Sequence, residues 1–134
     1  MIAVDTSVVV AAFASWHEGH QAALAALARE PDIPAHVLVE TYSVLTRLPA
    51  PHTAPSDVVT AFLEDRFRRA PLTLPAEAWI RVLTRSAREG VSGGAVYDAL
   101  IAATVHHAGA RLLTRERRAI RVYEEFGVPY ELVF

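Results

Sequence analysis

Four acidic residues interrupt stretches that are otherwise apolar or turn-forming. They are Asp5 in IAVDTSVVVAAF, Glu40 in HVLVETYSVLTRL, Asp98 in AVYDALIAATV and Glu116 in RLLTRERRA. Asp5 and Glu116 each follow a short apolar run, and Asp98 shares a helical face with Ile101, Ala102 and Val105. Each acid has a structural reading of its own. An Asp near a helix start caps free N–H groups, and a Glu in a first turn complements the helix dipole. Glu40 lies on the border of an apolar helix face with Arg47 two turns later, as a solvated or salt-bridged edge would. Asp98 is harder to explain this way, because an isolated carboxylate among apolar residues is costly and needs a partner. If the four acids converge, they raise one another's pKa until something positive intervenes, and a divalent cation is the simplest remedy. Oxygen-only ligation suits Mg²⁺ or Mn²⁺, which can activate water and neutralise charge on a phosphoryl centre. The chemistry indicated is phosphodiester hydrolysis with one or two ions.

Such convergence requires elements that end in the same place. Ile2 to Val4 predicts a buried strand, Thr6 to Ala14 a helix, and HEGHQAALAALARE an amphipathic helix. PDIPAHVLVETYSVLTRLP predicts a brief extended piece and then a helix burying Val37, Leu38, Thr41, Val44, Leu45 and Leu48, closed by Pro49. A helix capped by Ser56 or Asp57, a short strand at PLTL, and a helix with Pro75 early and Gly90 at its end follow. After GVSGG comes AVYDALIAATVHHAG, apolar nearly all round and so expected inside, then a strand at RLLT, a helix closed by Gly127 and a last strand in VPYELVF. Strands alternating with helices predict a parallel sheet covered on both faces, with ligands beyond the carboxyl ends of its strands.

Composition sets the remaining bounds. At 134 residues and 52% hydrophobic content the chain suits one compact domain, residues 1–134. No run is long enough to span a bilayer, and no Lys or Arg precedes the apolar N-terminus, which argues against a signal peptide. Cysteine is absent, so disulfides and thiolate metal sites are excluded and a cytoplasmic location is expected. All 13 basic side chains are Arg, which rules out lysine-dependent mechanisms. The formal charge of −2 gives no global pull toward nucleic acid, so such a partner would be held by local Arg clusters.

With these motifs in order, the chain resembles a PIN domain, and specifically the VapC toxin ribonucleases of bacterial type II toxin–antitoxin pairs. VDTSVVVA with Asp5, HVLVETYSVLTRL with Glu40, and YDALIAATVHHAGARLLTRERRA with Asp98 and Glu116 carry the likeness, which spans essentially the whole chain. The resemblance implies a three-layer α/β/α sandwich with about five parallel strands. It also implies an acidic pocket in which Asp5, Glu40, Asp98 and Glu116 are catalytic, with Asp5, Asp98 and Glu116 as metal ligands for Mg²⁺ or Mn²⁺. The implied activity is endonucleolytic cleavage of RNA, commonly transfer or ribosomal RNA, blocked by a VapB-like antitoxin; homodimers are usual. Thr6 and Thr114 match small hydroxyl positions that orient a carboxylate or a metal water. TRE at Thr114 to Glu116 departs from the family's usual TRD, placing the same charge on a longer arm.

RNA needs phosphate contacts, and Arg supplies planar, bidentate ones. Arg115 and Arg47, neighbours of Glu116 and Glu40, are the best placed; Arg117, Arg118 and Arg121 form one further group and Arg66, Arg68 and Arg69 another. VSGGAVYD lacks the Lys and Ser/Thr of a phosphate-cradling loop and reads as a helix start. His106 and His107 cannot share one helix face, whereas His17 and His20 can, but no third ligand is near to make a histidine metal site. A phosphoacceptor module would require the absent lysine, and no G-x-S-x-G is present for a serine hydrolase. The remaining alternative is a non-catalytic PIN-like module that binds RNA or protein.

Overall fold

The computed structural model describes residues 1–134. Strand β1 (Ile2–Val4) leads to helices α1 (Thr6–Phe13), α2 (His20–Leu27), α3 (Ala35–Thr46) and α4 (Ser56–Arg66). A 3-10 turn at Ala76–Ala78 enters α5 (Trp79–Arg88), followed by α6 (Ala95–His107) and β2 (Arg111–Thr114). A second 3-10 turn at Arg117–Ala119 enters α7 (Ile120–Glu125), and β3 (Tyr130–Leu132) ends the fold. No helix is long and apolar enough to cross a membrane.

The sheet has three parallel strands in the order β1-β2-β3, not about five. The two missing positions are occupied by extended segments that make one parallel bridge each, Asp32 to Ala3 and Leu72 to Pro34. Proline explains their brevity. Pro31 and Pro34 bracket the first segment, Pro71 and Pro75 the second, and a residue without an N–H cannot sustain a ladder. Counting these segments, spatial order reverses direction between β1 and β2, and in an open parallel sheet that reversal opens a crevice at the carboxyl ends.

Both faces of the sheet are covered. Successive strand residues point to opposite faces, yet Ala3 and Val4 in β1 and Leu112 and Leu113 in β2 are all fully buried. Helix α1 packs against α2 and α3, while α6 packs against β2, α5 and α7. Helix α3 buries Val37, Thr41 and Leu45, the face its spacing predicts. Three further expectations fail. The helix read from His17 spans only His20–Leu27, which leaves His17 to Gly19 in the loop before it. Helix α4 has Pro55 at its N-cap and no side-chain cap, because the rigid proline ahead of Ser56 makes Ser56 the first helical residue. Helix α6 is not buried all round: Tyr97, His106 and His107 face solvent, because only its central turns lie against the sheet and neighbouring helices.

Candidate active site

Asp5 leaves β1 with its N–H bonded to Leu113 O at 3.1 Å, so the sheet itself holds it at the strand end. It caps α1, and its carboxylate is buried. Oδ1 accepts from Ser7 Oγ at 2.5 Å and from Val8 N at a long 3.4 Å; Oδ2 accepts from Thr114 Oγ1 and from Tyr123 OH at 2.8 Å. Burial pushes the Asp5 pKa up, and these donors pull against it. The Tyr123 phenol is pushed far above its ordinary value by burial and by Asp5, so it stays a donor.

Glu40 sits midway along α3 and is held from two sides. Thr6 donates to its Oε1, and His36 Nε2 lies 3.5 Å from Oε2, at the far limit of a hydrogen bond. His36 in turn stacks on Tyr97 with ring centroids 5.1 Å apart. The His36 contact is the main reason the Glu40 pKa falls below its ordinary value. Glu116 caps the 3-10 turn after β2, its Oε1 accepting from Arg118 N at 3.0 Å. Asp98, in the first turn of α6, forms no hydrogen bond or ion pair. Its pKa rises to about 6, first from burial and then from the negative charges of Glu40, Asp5 and Glu116.

All four acids line one cavity of about 460 Å³ at the carboxyl ends of β1 and β2, together with Thr6, Ser7, His17, Glu18, Arg115 and Tyr123. Thr114 stands behind Asp5, fully buried, and does not reach the cavity wall. Arg47 lies outside the wall on the exposed end of α3, close enough for its charge to act on Glu40. Arg115 lines the cavity, but its Nη1 donates to Val133 O at 2.7 Å and its guanidinium lies 5.2 Å from the Phe134 ring centroid. Of the other arginines singled out, Arg69 pairs with Asp32, Arg68 with Asp65, Arg118 with Glu116 and Arg121 with Glu125.

The donor set fits a hard divalent cation in chemistry: carboxylates only, one of them unpartnered, with no free cationic side chain to neutralise them. No three His, Asp or Glu groups close around a common ligating point. An ion held here would meet some of the carboxylates through water. Sequence reasoning gave no site role to Ser7, Glu18, His36 and Tyr123, and weighed His17 only as a metal ligand, whereas it lines the cavity with the acids. Ser7 was the most accessible of these, two residues from Asp5 where a hydroxyl can reach the preceding carboxylate. Tyr123 lies on the apolar side of α7 and looks like core.

Comparison with known proteins agrees with this architecture. The PIN domain family model matches residues 2–125. The chain is 51% identical over 133 residues to Ribonuclease VapC40 of Mycobacterium tuberculosis, covering 99% of each. It is 43% identical over 129 residues to Ribonuclease VapC27 of the same organism, covering 95% of this chain and 93% of that one. Two solved structures share the fold. FitAcB from Neisseria gonorrhoeae has a TM-score of 0.67 at 19% identity, covering 97% of this chain and 96% of that one. VapBC2 from Rickettsia felis bound to a promoter DNA fragment has a TM-score of 0.68 at 18% identity, covering the whole of both chains. The protein belongs to the PIN domain family, on the branch that holds the VapC proteins.

Proposed function

We propose that this protein is a metal-dependent endoribonuclease toxin that hydrolyses phosphodiester bonds of RNA and is neutralised by a cognate VapB-like antitoxin. The observation that carries the reading is Asp98, an unpartnered carboxylate in a cavity shared with three other acids. Relatives across the full length carry the name ribonuclease, which supports RNA as the substrate. When bound, Mg²⁺ or Mn²⁺ supplies Lewis acidity toward water and phosphoryl oxygens.

The chain's own residues do the rest. Asp98, Asp5 and Glu116 would hold the ion, and Glu40 completes the acidic wall. Thr6 fixes the Glu40 carboxylate, while Ser7, Thr114 and Tyr123 fix that of Asp5, so the acids are oriented before substrate arrives. Arg47 is free to meet an RNA phosphate; Arg115 would contact RNA through the part of its guanidinium not bonded to Val133. Trp79, Ile80, Leu83 and Tyr97 line an apolar cavity of about 450 Å³ on α5 and α6, a surface of the kind a protein partner covers, such as a second copy in a homodimer.

The test is cleavage of total cellular RNA by purified, antitoxin-free protein. Cleavage is expected with Mg²⁺ or Mn²⁺, should stop with excess chelator, and should fall roughly 100-fold or more in Asp98→Asn. Cleavage that persists with excess chelator, or an Asp98→Asn variant at full rate, overturns the reading.

A further inference from the structure

The cavity wall holds five side chains able to donate a hydrogen bond, and three of them are already committed. Thr6 donates to Glu40, and Ser7 and Tyr123 donate to Asp5, while Arg115 gives one N–H to Val133 O and keeps others. His17 is the other side chain with a donor to spare. It sits in the α1–α2 loop, and its Nδ1 accepts the Gly19 N–H at 2.9 Å. That bond requires an unprotonated Nδ1, so the ring proton is on Nε2, which has no partner within the protein.

The loop that carries His17 is anchored. His17 N donates to Ala14 O at 2.9 Å, His20 N donates to His17 O at 3.1 Å, and Gly19 packs so closely on the Arg115 guanidinium that an added Cβ would collide with it. The imidazole is thus set in advance, and an uncommitted N–H is what an anionic occupant of an acid-lined cavity requires. Each RNA phosphodiester brings two non-bridging oxygens, and an oxygen turned away from a cation needs such a donor.

We propose that His17 Nε2–H donates a hydrogen bond to a non-bridging phosphate oxygen of the RNA backbone in the cavity. This makes His17 a substrate-contacting residue, and it rests on the ribonuclease reading above. Asn at this position separates the two roles of the ring. Its Oδ1 can still accept the Gly19 N–H in an Asx-type turn, but it places nothing at the Nε2 position, whereas the longer Gln amide can place a donor there.

His17→Asn is expected to keep the wild-type melting temperature and to cleave RNA roughly 10- to 100-fold more slowly, the loss typical of a hydrogen bond to a charged group. His17→Gln should recover part of that loss. In the Asp98→Asn background, His17→Asn should weaken binding of a fluorescein-labelled RNA oligonucleotide by a similar factor, read by anisotropy. His17→Asn binding and cleaving like wild type would overturn the proposal. If Asn loosens the turn, His17→Phe, which fills the space without a donor, should show the same loss, and wild-type behaviour in that variant overturns the contact equally. Failure of wild type to cleave would overturn the ribonuclease reading alone, because the binding comparison still decides the His17 contact.

Discussion

Asp98 and Asp5 are both carboxylates of the same cavity, yet their surroundings give them different work. Asp5 is buried and takes four donors, so it is fixed in place. Asp98 has none and is pushed up to about 6 by burial and by its acidic neighbours, so without metal it is a liability to the fold. A carboxylate whose folded pKa lies above its unfolded value of 3.8 binds protons more readily in the native state. The stability Asp98 contributes is therefore fully present below about pH 4 and is lost as pH rises through about 6. With chelator present, Asp98→Asn should be more stable than wild type at pH 7, by about 1 kcal/mol once solvent screening at this partly exposed site is allowed for. The gap should close below pH 4 in thermal melts across that range. Asp5, Asp98 and Glu116 were legible in the sequence because each stands at a strand end or helix start. Tyr123 was not, because a tyrosine on an apolar helix face looks like packing until its hydroxyl's partner, 118 positions away, is known.

At the scale of elements, β2 carries the most structural weight. It is the central strand, Leu112 and Leu113 are fully buried on opposite faces, and its end presents Thr114, Arg115 and Glu116 to the site. Leu113→Ala should cost about 3 kcal/mol, measured by urea unfolding, since it leaves a cavity that the surrounding helices cannot close. RLLT was readable as this strand because four residues with an apolar centre, placed between Gly109 and the Arg-rich turn, leave little alternative. The segments around Asp32 and Leu72 were read as extended, which they are. Their reduction to single bridges follows from prolines whose effect on a ladder depends on which side the partner strand lies, and that is a tertiary fact. The outward exposure of Tyr97 has the same origin. Periodicity shows that α6 is apolar but not how far its neighbours extend over its first turn.

Over the whole molecule, charge is distributed with a consistent bias. Arg29 pairs with Glu131, Arg69 with Asp32 and Arg121 with Glu125, so part of the basic side-chain charge is engaged at the periphery. The cavity keeps four acids, plus Glu18, with only Arg115 among them, and Arg115 is held toward Val133 and Phe134. A chain of net charge −2 without lysine thereby concentrates negative potential at one sheet edge. The crevice at the β1/β2 reversal supplies the place, and motifs remote in sequence supply the groups. The order of the acids made the family resemblance visible; their meeting depends on crossovers that no single motif encodes.

Whether those carboxylates bind a divalent ion together is measured most directly by thermal unfolding under rising Mn²⁺. Wild type should gain stability with concentration, about 2.7 kcal/mol at 100 times Kd, and Asp98→Asn should show no gain over the same range. An equal rise in both proteins, or no rise in wild type, would contradict a shared metal site.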